Sequence, residues 1–284
     1  MSTERDQAKS EAVRRPGARP NEESSLLLDA ARRLAAAGIE NPRLDARVLL
    51  EHANGGGAHF ESFISRRAAR EPLAYITGRK EFWSLDIEVG PGVLIPRPET
   101  ETVIEQAMAF FPDRAAPLNV LDLGAGTACL LVAFLREFPN ARGLGVDTSA
   151  EARTFALRNV ARHGLAGRCE IRGGCWDEAI AGPYDVILSN PPYIKTADLA
   201  GLELEVAYEP VLALDGGPDG LSAYRALAPA LARLLSPSGR AFLEIGAGQS
   251  NEVGFVLARC VLDVNKLVPD LVGIPRVLVV SRKG

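Results

Sequence analysis

From residue 118 to the C-terminus, short runs of Val, Leu and Ile alternate with longer stretches whose apolar residues recur at helical spacing. NVLDLG, GLGVD, CEIRGG, YDVILSN and GRAFLEIG begin at residues 119, 143, 169, 184 and 239. TACLLVAFLREF follows the first of them, SAEARTFALRNVARHG the second, and LSAYRALAPALARLL leads into the last. Alternation of strand and helix in this manner predicts a parallel sheet with helices on both faces. RVLVVSR, from Arg276 to Arg282, predicts one more strand.

The first part of the chain has a different texture. Residues 1–22 mix both charge signs with Pro16, Gly17 and Pro20 and show no periodic apolar face, which predicts a flexible tail. An Ala-, Leu- and Arg-rich segment broken by Gly38 and by Asn41-Pro42 predicts a small helical domain over residues 23–80. In FWSLDIEVGPGVLIPRP, Leu85, Ile87 and Val89 alternate with Ser84, Asp86 and Glu88, and Gly90-Pro91-Gly92 supplies a turn before Val93-Leu94-Ile95. This predicts a β-hairpin over 81–98, with the larger domain at 99–284 opening on a helix from Glu99 to Phe111.

Composition narrows the picture. At roughly 150 residues per domain, 284 residues fit about two domains. The longest apolar run, Ala128 to Leu135, is far shorter than the ~20 residues of a bilayer span, and the N-terminus lacks the apolar centre of a secretory signal. A cytoplasmic protein with no membrane partner is expected. The four cysteines form no CxxC pair and the three histidines stand apart from them, so neither a metal site nor a disulfide framework is expected. With 32 basic against 36 acidic residues the net charge is −4, and no overall positive field exists to hold nucleic acid. Arg66, Arg67, Arg70, Arg79 and Lys80 form the local exception, readable as a solvated face or as a contact for an acidic partner or ribosomal RNA.

The candidate chemistry lies at two strand ends, where an open α/β sheet places its ligands. After the first strand comes Asp122-Leu123-Gly124-Ala125-Gly126-Thr127, whose glycines permit a tight turn and close approach of a ligand. The third glycine of a dinucleotide fingerprint would stand where Cys129 is, so the match to that motif is incomplete. Asp147 follows Gly126 by 21 residues, at the end of the next strand. A carboxylate there can accept both hydroxyls of a ribose, as in a dinucleotide or S-adenosylmethionine, or can cap the next helix. Further on, Ser189-Asn190-Pro191-Pro192-Tyr193 closes the YDVILS strand. Two prolines remove N–H donors, which keeps the neighbouring carbonyls out of a regular ladder. An amide nitrogen is a poor nucleophile. The Asn190 side chain and the Pro191 carbonyl can grip its two hydrogens, while the Tyr193 ring packs on its plane.

These motifs, together with EPLAYITGRKEFWSLDIEVGPGVLIPRPETE, SNPPYI, EPVLALDGGPDGLSAYR and FLEIGAGQ, make the chain similar to the release factor glutamine methyltransferases, the PrmC/HemK family. The resemblance runs from Glu23 to the C-terminus. It implies a Rossmann-like class I methyltransferase domain, with a mostly parallel seven-stranded sheet and helices on both faces, joined by the hairpin to the helical domain. It also implies S-adenosyl-L-methionine as cofactor, S-adenosyl-L-homocysteine as product and no metal. Gly124, Ala125, Gly126, Thr127, Ala128 and Asp147 would hold the cofactor, with Trp176 by its adenine and Asn190 near its methyl group. Asn190, Pro191, Pro192 and Tyr193 would bind the glutamine, with Asn190, Pro191 and Tyr193 serving the chemistry. The implied substrate is the Gly-Gly-Gln motif of class 1 peptide chain release factors, methylated at N5 and recognised by the helical domain. A monomer without sequence-specific nucleic acid binding is expected. Two positions depart from the family pattern: Ala128 stands where a glycine is usual, and Cys175 where an acidic residue precedes the tryptophan. Methylation of a ribosomal-protein glutamine, or of an amino group on a DNA or RNA base, is the alternative the residues leave open.

Overall fold

The computed structural model describes residues 20–54, 57–176 and 180–284. Residues 1–19 of the tail expected over 1–22 lie outside them. The chain divides into two compact units, residues 1–77 and 78–284.

In the first unit, α1 (Pro20–Ala36), α2 (Pro42–His52), α3 (Ala58–Ala68) and the short α4 (Leu73–Thr77) surround one apolar core. Ala30 and Leu34, Ala46 and Leu49, and Phe60 and Ile64 contribute to it at helical spacings of three and four. Three members of the basic stretch, Arg66, Arg67 and Arg70, find partners inside this unit. Arg67 forms a buried ion pair with Asp45 at 2.7 Å, and Arg66 forks onto Glu71 at 2.8 and 2.5 Å. Arg70 reaches the Gly38 carbonyl. Their partners come from α2, from the connection between α1 and α2 and from the residues that follow α3, and the Arg66 side chain stays 39% exposed.

The second unit opens with a hairpin, β1 (Arg79–Phe82) against β2 (Leu85–Glu88), in antiparallel register. Its turn is Trp83-Ser84, with φ of +54° and +56°, and not the expected Gly90-Pro91-Gly92. Two residues at positive φ match the twist of a tight hairpin. The unfavourable backbone of Trp83 is held by its amide donating to Glu101 Oε1 at 2.7 Å and its indole to Glu137 Oε1 at 2.9 Å. Val93–Ile95 forms no strand. Gly90 abuts the Phe155 ring so closely that a Cβ there would come within 2.7 Å, and the chain turns toward the main sheet instead.

That sheet has seven strands: β3 (Asn119–Leu123), β4 (Arg142–Asp147), β5 (Cys169–Gly173), β6 (Tyr184–Ser189), β7 (Leu235–Glu244), β8 (Leu262–Pro269) and β9 (Pro275–Arg282). Their order is β5-β4-β3-β6-β7-β9-β8, parallel from β5 to β7, with β9 antiparallel to both β7 and β8. The expected mostly parallel sheet is present, with the exposed edge strand β8 added to it. α6 (Cys129–Glu137) and α7 (Ala150–Arg162) carry the chain outward from β3, and α8 (Ser222–Leu234) joins β6 to β7 in the opposite direction. Right-handed crossovers therefore set α8 on the face opposite α6 and α7. α5 (Glu101–Phe110) packs beside α6, and α9 (Ser250–Ala258) beside α8. The direction of winding reverses between β3 and β6, which opens a crevice at their carboxyl ends.

Candidate active site

The cavity at this crevice measures about 380 Å³ and touches both motif-bearing strand ends. On the β3 side, Gly124 and Gly126 have φ of +75° and +55°, a region that side chains disfavour. The turn they form is clipped to β4: the amides of Gly124 and Ala125 donate to the Val146 carbonyl at 2.9 and 3.0 Å. Gly126 N–H donates to Asp147 Oδ2 at 2.8 Å, and Ser149 N–H to Asp147 Oδ1 at 2.8 Å. Ser149, whose hydroxyl accepts from the Ala152 amide at 3.1 Å, caps α7. Asp147 is thus not the cap, and each of its oxygens keeps acceptor capacity beside the cavity it lines. Trp176 lines the cavity near Gly124, where an added Cβ would meet its ring at 3.8 Å.

Ala128 also has a positive φ, +61°, and is fully buried without lining the cavity, although Thr127 and Cys129 on either side do. Its departure from glycine thus strains the backbone, by about 1 kcal/mol, and leaves the cavity's volume alone. Burial pushes the Cys129 thiol up to about 12, so it is not a thiolate. Cys175 is exposed.

Asp122 is the unusual group of this half. It is 1% exposed, lines the cavity, and neither carboxylate oxygen has a hydrogen bond. Burial, and then the nearby charge of Asp147, push its carboxyl up to about 7. The Leu131 amide in the first turn of α6 faces it without closing a hydrogen bond and offsets part of that rise.

On the β6 side, Ser189 Oγ donates to the Leu123 carbonyl at 2.7 Å and ties the two strand ends together. Asn190 and Pro192 line the cavity; Pro191 is buried, and neither it nor Tyr193 is part of the lining. Asn190 Nδ2 donates to Thr100 Oγ1 at 3.1 Å. The Tyr193 ring turns toward the protein interior, its hydroxyl donating to Glu244 Oε1 at 3.3 Å. Burial raises the Tyr193 pKa, the Glu244 charge adding to it. The loop is cradled from outside by Ile194 N–H donating to the Leu214 carbonyl at 3.0 Å and Gly216 N–H to the Ile194 carbonyl at 2.7 Å. Gln249 Nε2 donates to the Tyr193 carbonyl at 3.0 Å. Glu209 clamps the facing segment, accepting from Ile95 N–H at 3.0 Å and pairing with Arg97.

Thr100, Glu209, Glu244 and Gln249 were not singled out from sequence. Each lies in a segment that carried the family resemblance, yet only the fold shows that those segments meet. Among the described residues, no three His, Cys, Asp or Glu side chains are grouped to hold a metal ion, and no helix is long and apolar enough to cross a membrane.

A parallel sheet extended by an antiparallel pair, with its ligand cavity at the β3/β6 reversal, defines the Rossmann-like class I methyltransferase fold. A methyltransferase structure from Pyrococcus furiosus superposes with a TM-score of 0.53 over 78% of this chain and 98% of its own, at 21% identity. Residues 107–205 match the model of the methyltransferase small domain, and residues 25–56 that of the PrmC N-terminal domain. Proteins named release factor glutamine methyltransferase from Rhodospirillum rubrum and Moorella thermoacetica are each 41% identical, over 93% and 90% of this chain and 87% and 96% of their own lengths. One from Caulobacter vibrioides is 43% identical over 78% of this chain and 83% of its own. The chain belongs to the release factor glutamine methyltransferase family.

Proposed function

We propose that this protein transfers a methyl group from S-adenosyl-L-methionine to the side-chain N5 of the glutamine in the Gly-Gly-Gln motif of class 1 peptide chain release factors, leaving S-adenosyl-L-homocysteine. The observation that carries this reading is that a single cavity is lined at one side by Asp147 and the glycine turn and at the other by Asn190. The names of its relatives supply the substrate class.

The residues present suit the cofactor. Asp122 offers two buried, unpartnered carboxylate oxygens to the cavity, a place for an ammonium group such as that of methionine. Asp147 offers acceptor positions for ribose hydroxyls, and Trp176 a flat apolar surface for a base. The cavity's volume lies within the usual range for sites of small ligands, about 300–1,000 Å³. When bound, S-adenosylmethionine would supply a sulfonium methyl, an electrophile strong enough for an amide nitrogen.

The chain's own contribution is orientation. With Nδ2 of Asn190 engaged by Thr100, its Oδ1 is the end available to accept one hydrogen of the substrate amide. Pro191, expected from sequence to accept the other, is buried outside the cavity's lining. Acceptance by Asn190 stabilises the positive charge that grows on nitrogen as the bond forms. The nitrogen becomes strongly acidic in the process, so its proton can pass to water without a dedicated base. Residues 20–77 would recognise the release factor beyond the glutamine loop.

The test is incubation with methyl-labelled cofactor and purified release factors, followed by mass spectrometry of the labelled peptide. Label is expected on the glutamine of the Gly-Gly-Gln motif and absent when that glutamine is replaced by alanine. Label that persists after the replacement refutes the substrate assignment.

A further inference from the structure

Gln249, the residue before α9, does not line the cavity but reaches the loop that carries Asn190. Its side-chain amide engages main chain alone: Oε1 accepts from Gly246 N–H at 3.0 Å, and Nε2 donates to the carbonyls of Tyr193 at 3.0 Å and Gly220 at 3.3 Å. Those partners fix its orientation. An N–H can only donate and a carbonyl can only accept, so no other turn of the amide satisfies all three groups. Gly246 follows the end of β7, Gly220 precedes α8, and Tyr193 closes the loop that begins at Asn190.

The junction is tightly filled. An added Cβ on Gly220 would come within 2.6 Å of both the Tyr193 carbonyl oxygen and Gln249 Nε2, and one on Gly216 within 2.8 Å of Tyr193 Cα. The far end of the Asn190–Pro192 span is thus held by its main chain, while Ser189 Oγ, donating to the Leu123 carbonyl at 2.7 Å, holds the near end. Pro191 and Pro192 have a fixed φ, so the placement of the two ends sets where Asn190 stands. Ile194 pairs with Leu214 and Gly216, but these belong to a second loop, the one that ends near Gly220. Gln249 joins both loops to the end of β7. The Tyr193 hydroxyl also reaches β7, through Glu244 at 3.3 Å, yet it holds only the tip of a side chain.

We propose that Gln249 is a positioning residue for methyl transfer: by tying the Tyr193 and Gly220 carbonyls to the end of β7, it fixes the Asn190–Pro192 span and with it the acceptor that orients the substrate nitrogen. This rests on the reading of Asn190 as the acceptor for the substrate amide. Misplacing a group that orients a reactant by about 1 Å can cost about 10²-fold in rate. Neither Gln249 nor its three partners line the cavity, so the loss falls on transfer and not on cofactor affinity.

Gln249→Met keeps the length of the side chain and removes every hydrogen bond it makes. The test supplies the full-length protein with labelled S-adenosylmethionine and a purified release factor, and expresses the single-turnover rate per S-adenosylhomocysteine site counted by calorimetry, which leaves any unfolded fraction out. Gln249→Met is expected to transfer about 10- to 100-fold more slowly per site. Its Kd for S-adenosylhomocysteine, and the release factor concentration giving half the maximal rate, are expected within about threefold of wild type. Gly220→Ala should slow transfer in the same way. Combined with Gln249→Met it should add less than about threefold to the slower single variant, because both disturb one junction. Transfer per site at the wild-type rate by Gln249→Met overturns the proposal, as do sites and turnover lost in equal proportion, or losses that multiply in the double variant. If wild type labels no release factor, the functional reading itself fails and this proposal falls with it.

Discussion

Asp122 and Ala128 flank the same turn, and each stands against an ordinary preference. Two buried carboxylate oxygens without a hydrogen bond favour the proton, and the carboxyl is accordingly pushed from 3.8 up to about 7. The sign for stability follows. The folded protein holds that proton more tightly than the unfolded chain, so its stabilising effect is complete below pH 3.8 and is lost as pH rises toward 7. Asp122→Asn, which cannot ionise, should therefore melt higher than wild type at about pH 8 in the absence of cofactor, at about 2–4 °C per kcal/mol, and differ little at about pH 4. Differential scanning calorimetry at the two pH values checks this. The same variant should bind S-adenosylhomocysteine more weakly, since the cavity then lacks its anionic wall. Ala128 presents the opposite case, a residue whose oddity is confined to the backbone. Ala128→Gly should leave the Kd for S-adenosylhomocysteine within about threefold of wild type by calorimetry. A large gain in affinity would mean that the methyl group does intrude on the cofactor.

The elements around the site are joined by side chains that serve backbone groups. Asn159 of α7 is the clearest: its Oδ1 accepts from the Glu88 amide at 2.7 Å, and its Nδ2 donates to the carbonyls of Glu88 and Thr127 at 3.0 Å each. One buried amide thus fastens β2 to the glycine turn. Asn159→Leu keeps the volume but abandons three polar backbone groups, and should cost about 2–4 kcal/mol in urea denaturation. None of this is legible in one dimension. Asn159 lies within a helical stretch and reads as one more polar residue. Periodicity did disclose β3, β4, β6 and the helices between them, because buried parallel strands are continuously apolar and their helices are not. The edge strand β8 (LDVNKLVP) is mostly exposed and mixes polar with apolar residues, so it carried no such signal. The hairpin turn was displaced because Gly-Pro-Gly is strong local turn chemistry, while Trp83 adopts positive φ only through partners supplied by α5 and α6. Asn190, Asp147 and the glycine turn were readable as strand-end chemistry. Thr100 and Glu244 were not, since a buried polar residue gains its meaning from what the fold sets beside it.

Across the whole molecule, charge and placement decide what can dock. The net charge is −4, and Arg66, Arg67 and Arg70 already hold partners within the first unit. Nucleic acid should bind no better than nonspecifically, with a Kd no tighter than about 10⁻⁶ M for a labelled RNA oligonucleotide by fluorescence anisotropy at physiological salt. Nanomolar binding would favour a nucleic-acid base as substrate. In the proposed reading, cofactor and substrate nitrogen bind on opposite sides of the β3/β6 reversal, so the two ought to be separable by substitution. The most direct test is a paired measurement, on Asn190→Ala and Asp147→Ala, of single-turnover methylation of a release factor and of S-adenosylhomocysteine affinity. Asn190→Ala is predicted to slow transfer about 10²- to 10³-fold while its affinity for S-adenosylhomocysteine changes by less than about tenfold, and Asp147→Ala to lose affinity first. Transfer at the wild-type rate by Asn190→Ala would contradict the account.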